Sequence, residues 1–186
     1  MKKISKKLIV IFFCLIALTL LVIYSIARYE SFSSTKANLE VAFYLLNEDY
    51  QSMNLNLSSI SPRTEAYVYN FAISNTDGTR RTETSLQYDM QVVTTTNLPL
   101  EYELYMNEQY TDASATSCVK TDTTKSDEYG TYFRTLTTET QNFGYQTDQT
   151  NYYQLVVYFK EEYKDISYQD IIESIEIQVN SKQIIE

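Results

Sequence analysis

Strict alternation of apolar and polar side chains constrains this chain more than any other feature. Leu86, Tyr88, Met90 and Val92 alternate with Gln87, Asp89 and Gln91, the period of two expected of a strand with one buried face. The pattern recurs in Tyr67, Tyr69, Phe71 and Ile73. It returns in Tyr153, Leu155, Val157 and Phe159, and in Ile175, Ile177 and Val179 against Glu176 and Gln178. Residues 39–46 set Leu39, Val41, Phe43 and Leu45 on one face and Glu40, Ala42 and Tyr44 on the other. Leu55 and Leu57 alternate with Asn54 and Asn56 in a short second strand, ended by Ser61 and Pro62. After the break at Asn97, Leu98 and Pro99, the residues Leu100, Tyr102, Leu104 and Met106 alternate with Glu101 and Glu103; proline cannot donate to a central ladder. Weaker strands are predicted over residues 114–120 and 132–138, with a polar loop over 121–130 between them.

About eight or nine short strands at intervals of roughly ten residues predict an all-β fold, an antiparallel β-sandwich or jelly roll. Composition agrees. Of the 18 tyrosines, 17 lie beyond residue 27, among many Thr, Val and Ile, the side chains that suit a pleated, half-buried surface. One helix is predicted in this part. Ser167 and Asp170 have capping-box spacing before Ile171 and Ile172, enough for about two turns.

The first 27 residues are of a different kind. Residues 8–27 read LIVIFFCLIALTLLVIYSIA, with only Thr19 and Ser25 polar. Twenty helical residues span about 30 Å, the thickness of a bilayer's hydrocarbon core. Lys2, Lys3, Lys6 and Lys7 precede the run, so the positive-inside rule leaves residues 28–186 outside the cytoplasm. The expectation is a single-pass N-terminal transmembrane helix whose N-terminus is cytoplasmic. The competing reading is a signal peptide cut after Ala27, with Ser25 and Ala27 as its small residues; the length of the run favours a retained anchor. Ile11, Phe12 and Phe13 before Cys14 are too large for a lipobox. Either way the remainder is extracytoplasmic. Residues 28–36 (RYESFSSTK) make a polar tether, and residues 37–186 make one domain.

Charge and side-chain chemistry narrow the function. Without the four N-terminal lysines, 11 basic residues face 24 acidic ones, a net charge of −13. Such a domain repels phosphate backbones, so nucleic acid is not an expected partner. The chain has no histidine, which removes His-dependent triads and His-containing metal sites. Cys118 is alone beyond the apolar run, so the domain has no internal disulfide and no thiolate metal site. Three scattered glycines build no phosphate loop. Glu101 and Glu103 share a strand face about 7 Å apart, side by side rather than facing each other across a substrate as glycosidase pairs do. Ser117 and Ser126 near Lys120 and Lys125 lie in a polar stretch that offers no desolvation to make a lysine base. Residues 122–128 (DTTKSDE) carry three carboxylates without the spacing of a calcium loop. No catalytic residue, cofactor or metal is expected. Tyr152 and Tyr158 fall on the face opposite the core, where aromatic rings form a stacking platform for a ligand.

The order of elements resembles the camelysin/TasA family of secreted bacterial surface and matrix proteins. The resemblance covers about residues 37–107. It is carried by the export segment, the early strand over residues 37–46, the strand between Pro62 and Asn75, and the stretch NLPLEYEL at residues 97–104 after a Thr-rich strand. It implies a jelly-roll domain and assembly into fibre or matrix, with Leu39, Val41, Phe43 and Leu45 as a segment exchanged into a neighbouring subunit. The expected function is a non-enzymatic cell-surface interaction or structural protein that associates with itself or with another surface protein. The alternative is a surface ligand-binding module for carbohydrate or cell wall that uses the tyrosine-rich face.

Overall fold

The structure, a computed structural model, describes residues 41–45, 50–55, 60–165, 168 and 171–184. The apolar run, the tether and Leu39 lie outside the described residues. Ten strands are present among those described: β1 (Val41–Tyr44), β2 (Tyr50–Leu55), β3 (Tyr67–Ser74), β4 (Leu86–Thr95), β5 (Glu101–Met106), β6 (Val119–Ser126), β7 (Tyr132–Thr138), β8 (Gln141–Phe143), β9 (Thr150–Tyr158) and β10 (Ile175–Gln183). They form two sheets. The smaller has the order β1-β3-β9-β5; the larger runs β2-β10-β4-β7-β6, with β8 also paired to β4. β4 serves both partners along its length, pairing Gln91 to Thr95 with β7 and Leu86 to Tyr88 with β8.

The fold is an all-β sandwich, as the alternation predicts. One pairing departs from the antiparallel expectation: β1 runs parallel to β3, with Val41 opposite Phe71 and Tyr44 opposite Ser74. The cause lies in the connection. The chain leaves β1 for β2 in the other sheet and only then returns to β3, and a crossover of this kind is what a parallel pair requires.

The inner faces of the sheets share one core. Leu86, Tyr88, Met90 and Val92 of β4 and Ile175, Ile177 and Val179 of β10 pack against Tyr69, Phe71 and Ile73 of β3 and Tyr153, Leu155 and Val157 of β9. Burial of each such side chain stabilises the fold by about 1.5–3 kcal/mol. The core also holds a polar clasp between the sheets. The hydroxyls of Tyr88 and Tyr153 lie 2.9 Å apart, and Asn151 Nδ2 donates to Tyr88 at 2.6 Å.

Three local expectations fail. Of the strand expected over residues 114–120, only Val119 and Lys120 are extended, as the start of β6. The stretch expected to be a polar loop is instead β6, whose residues pair with β7 from Val119 to Ser126. It is an edge strand, exposed from Lys120 onward, so no buried face writes an alternation into its sequence. Its threonines favour extended backbone, and charges such as Lys120 and Lys125 discourage further pairing at an open edge. The predicted helix at Ile171 and Ile172 is also absent: residues 171–174 are not helical. Ser167 and Asp170 lie outside the described residues. Tertiary hydrogen bonds hold this stretch against the end of β4. Asn97 Nδ2 donates to the Ile172 carbonyl, and Thr95 N donates to the Ser174 carbonyl. The buried Glu173 carboxylate accepts from the Thr94 and Thr95 hydroxyls and from Leu98 N at 2.7–2.8 Å. A short 3-10 turn, Glu161–Tyr163, lies earlier in the same connection.

Candidate functional site

The outer face of the four-stranded sheet follows from the register. Along β9, Tyr153, Leu155 and Val157 point into the core, so Tyr152, Gln154, Val156 and Tyr158 point out. Cross-strand rows then set Tyr152 beside Ala72 and Ala42, Gln154 between Asn70 and Tyr105, and Val156 beside Glu103.

Tyr158 occupies the closed half of this face. Its hydroxyl and that of Tyr105 both donate to Glu103 Oε2 at 2.9 Å, and Val156 between them on the register is fully buried although it faces outward. Burial, and next the Glu103 hydrogen bond, push the Tyr158 phenol up to about 12. Tyr158 therefore serves as packing for this half of the sheet and is tied to a carboxylate. Tyr152, the other residue expected to present a ligand face, is 65% exposed. It stands in the open half, on the wall of a groove of about 740 Å³.

Small residues make that groove. Ala42 and Ala72 lie side by side next to Tyr152 and leave a low floor. Tyr44, 45% exposed, rises from β1 diagonally across it. Two strand spacings of about 4.8 Å and a two-residue offset put the Tyr44 and Tyr152 backbones about 12 Å apart. Neither ring stacks on another aromatic side chain among the described residues. The turn after β5 closes the far side through Asn107, Glu108 and Gln109. Asn107 has φ 56°, a left-handed conformation that asparagine tolerates better than most residues. Its side chain and backbone clamp this turn to β9: Oδ1 accepts from Tyr152 N at 2.9 Å, and the Asn107 N–H donates to the Tyr152 carbonyl at 2.7 Å. Gln154 is held on all sides, its Nε2 donating to Asn70 Oδ1 and Gln109 Oε1 and its Oε1 accepting from Tyr110 N. The Nδ2 group of Asn70 and the Nε2 group of Gln109 keep their hydrogens free of partners among the described residues.

Several other residues singled out from the sequence are engaged in structure. Glu101 pairs with Lys160, and Glu103 with its two tyrosines, so these carboxylates share a face without framing a cleft. Lys120 pairs with Glu139 at 2.8 Å. Asp122, in the acidic stretch weighed for calcium, receives both a 2.9 Å and a 2.7 Å bond from Arg134. Among the described residues no three metal-ligating side chains converge. Burial pushes the Cys118 thiol up to about 11, away from the reactive thiolate. Of the segment considered for strand exchange, Phe43 and Leu45 are buried in their own domain, Phe43 edge-on to Phe71.

Sequence reasoning finds Tyr152 but not its partners. Tyr44 is legible as outward-facing, whereas its alignment with Ala72 and Tyr152 depends on the parallel β1–β3 register, which no local pattern encodes. Asn70, Gln109 and Gln154 resemble any solvated polar residues in sequence. Fold and groove together define an all-β sandwich with an open, side-chain-lined groove on one face. No family model matches the chain, and no curated protein is significantly similar to it.

Proposed function

We propose that this chain is a non-enzymatic bacterial cell-surface binding module, anchored by residues 8–27 with residues 28–186 outside, that holds an extended ligand in the Tyr44–Tyr152 groove. If the chain is cut after Ala27, the same domain is secreted. The observation that carries the reading is the pair of exposed tyrosines above the Ala42–Ala72 floor, beside a wall of fixed amides. Pockets of roughly 300–1,000 Å³ with a few placed polar groups suit ligand binding. The jelly-roll form is part of the proposal. It is supported by the strand orders β2-β10-β4-β7 and β3-β9-β5, which match two interleaved Greek keys. The non-enzymatic reading is supported by the engagement of Glu101 and Glu103 with partners outside the groove.

A second reading is favoured by one observation. Among the described residues β1 is an edge strand whose only strand partner is β3, over four register pairs, and open edges recruit further strands. Self-association through this edge, or exchange of the β1 segment into a neighbouring subunit as the camelysin/TasA resemblance implies, is the second reading.

The test of the groove uses Ala72→Arg, which fills the floor from an outward-facing position. Cells displaying the full chain should retain isolated extracellular-polymer and wall fractions, and the folded variant should not. Equal retention by both would overturn the groove as the binding site.

A further inference from the structure

Building on that reading of the groove, we infer that its ligand is a neutral glycan chain laid across the strands, with Tyr44 and Tyr152 stacking on sugar faces and Asn70 and Gln109 donating to hydroxyls. The direction of the groove is the first reason. Its lining comes from β1, β3, β9 and the turn after β5, so an occupant crosses the strands instead of lying along one. A peptide that augments a sheet runs along an edge and is read by backbone hydrogen bonds. An occupant crossing the face meets side chains only, and must be recognised by stacking and by side-chain hydrogen bonds.

Those side chains suit a sugar. A pyranose has an apolar face for an aromatic ring and a rim of hydroxyls that both donate and accept. Tyrosine provides a large, rigid amphipathic surface at small entropic cost, and both rings are exposed and unstacked. Amide groups complement hydroxyls because they too offer both functions. The free Asn70 and Gln109 N–H groups point to acceptors on the ligand, while their carbonyl oxygens are already bound to Gln154 Nε2. Gln154 fixes both amides, so their orientation is set before the ligand arrives.

Charge decides between glycans. Among the described residues, Glu108 is the one ionisable group lining the groove apart from the tyrosine phenols, and no Lys or Arg lines it. With a net charge of −13 over residues 28–186, the domain repels phosphate-bearing or uronic polymers and admits uncharged ones.

The experiment uses the full chain in a zwitterionic detergent, since alkyl-glycoside detergents would compete for the groove. Titration calorimetry is run with β-1,4-linked glucose and N-acetylglucosamine hexasaccharides, a proline-rich peptide and a polyglycerol-phosphate teichoic acid. A neutral hexasaccharide should bind. Tyr152→Ala should weaken it by roughly tenfold or more, as truncation of a central aromatic contact does; Ala72→Arg should abolish it. Tyr158→Phe, in the closed half, should leave affinity within about twofold. Circular dichroism spectra matching the wild type exclude misfolding as the cause. Binding of teichoic acid or peptide alone, lost in Ala72→Arg, would overturn the glycan and leave the groove standing. Hexasaccharide binding unaffected by Tyr152→Ala and Ala72→Arg would overturn both. If no hexasaccharide binds while cells still retain polymer through Ala72, the neutral glycan is wrong and the binding module is right.

Discussion

Replacing Glu173 by alanine tests the part of the fold that the sequence disguises most. In the native domain its carboxylate is buried and accepts from Thr94 Oγ1, Thr95 Oγ1 and Leu98 N. Thr94 has other partners within reach, the Thr95 carbonyl and the Tyr102 hydroxyl, both at 2.9 Å, so its hydroxyl can redirect. Thr95 and the buried Leu98 amide lose the acceptor outright. Hydrogen bonds to a charged group contribute about 1.5–3 kcal/mol each, so two of them amount to about 3–6 kcal/mol. Removing a buried carboxylate that has no cation beside it among the described residues offsets part of that loss, leaving a destabilisation of about 3 kcal/mol. For a domain of this size the shift corresponds to a fall of about 6–12 °C in Tm. Urea denaturation and thermal melting followed by circular dichroism at pH 7 measure it. A double-mutant cycle with Thr95→Val should return about 1 kcal/mol or more of coupling. A Glu173→Ala protein within about 0.5 kcal/mol of the wild type would refute the reasoning, because it would mean that the Glu173 carboxylate contributes little to holding residues 171–174.

Three further outcomes are expected. Met90→Asp places an unpaired charge at a fully buried site of β4 and should unfold the domain or cost several kcal/mol; a soluble variant with an unchanged melt would put the core on the other face. The Tyr158 phenol should titrate near 12 by absorbance at 295 nm. Because its folded pKa is raised, its contribution to stability is whole below about pH 10 and is lost as pH rises towards 12; a Tyr158→Phe difference spectrum centred near 10 would contradict the burial. Asp77 should stay ionised well below the usual carboxylate range, since the backbone N–H groups of Arg80 and then Thr79 hold its charged form. The stabilisation is present above about pH 4 and disappears as the solution is acidified below that, and a carboxyl NMR titration with a midpoint near 4 would rule it out.

Legibility in this chain tracks whether one face of an element is buried. β4 and β10 have core on one side and a more polar face on the other, so their inward residues can be read directly from period two; β9 keeps the same inward period although Val156 is buried on its outer face. β6 has no buried face beyond Val119, and nothing in KTDTTKS separates an exposed strand from a loop. β8 is three residues long, too short to show any period. At residues 171–174 a local capping signal competes with hydrogen bonds from Thr95, Asn97 and Leu98, residues more than seventy positions earlier, and the distant partners win. The groove obeys the same rule. Its aromatic wall is legible as an outward tyrosine, while its floor depends on Ala42 meeting Ala72 across a parallel pair formed only after the chain has visited the opposite sheet.

The clasp between Tyr88 and Tyr153 bears on a problem that alternation leaves open. A period-two pattern rejects a shift of one residue, since every apolar side chain would turn to solvent, but a shift of two residues preserves inside and outside. For β4, such a slip would bring Leu86 or Met90 opposite Tyr153 and carry Tyr88 away from Asn151. Two phenol hydroxyls would then be stranded in an apolar layer, each at a cost of about 1–3 kcal/mol. The native alignment is thus separated from its nearest impostors by a polar contact in the middle of the hydrophobic core. Two tyrosine oxygens act as a vernier mark, telling the chain which of several equally greasy alignments is its own.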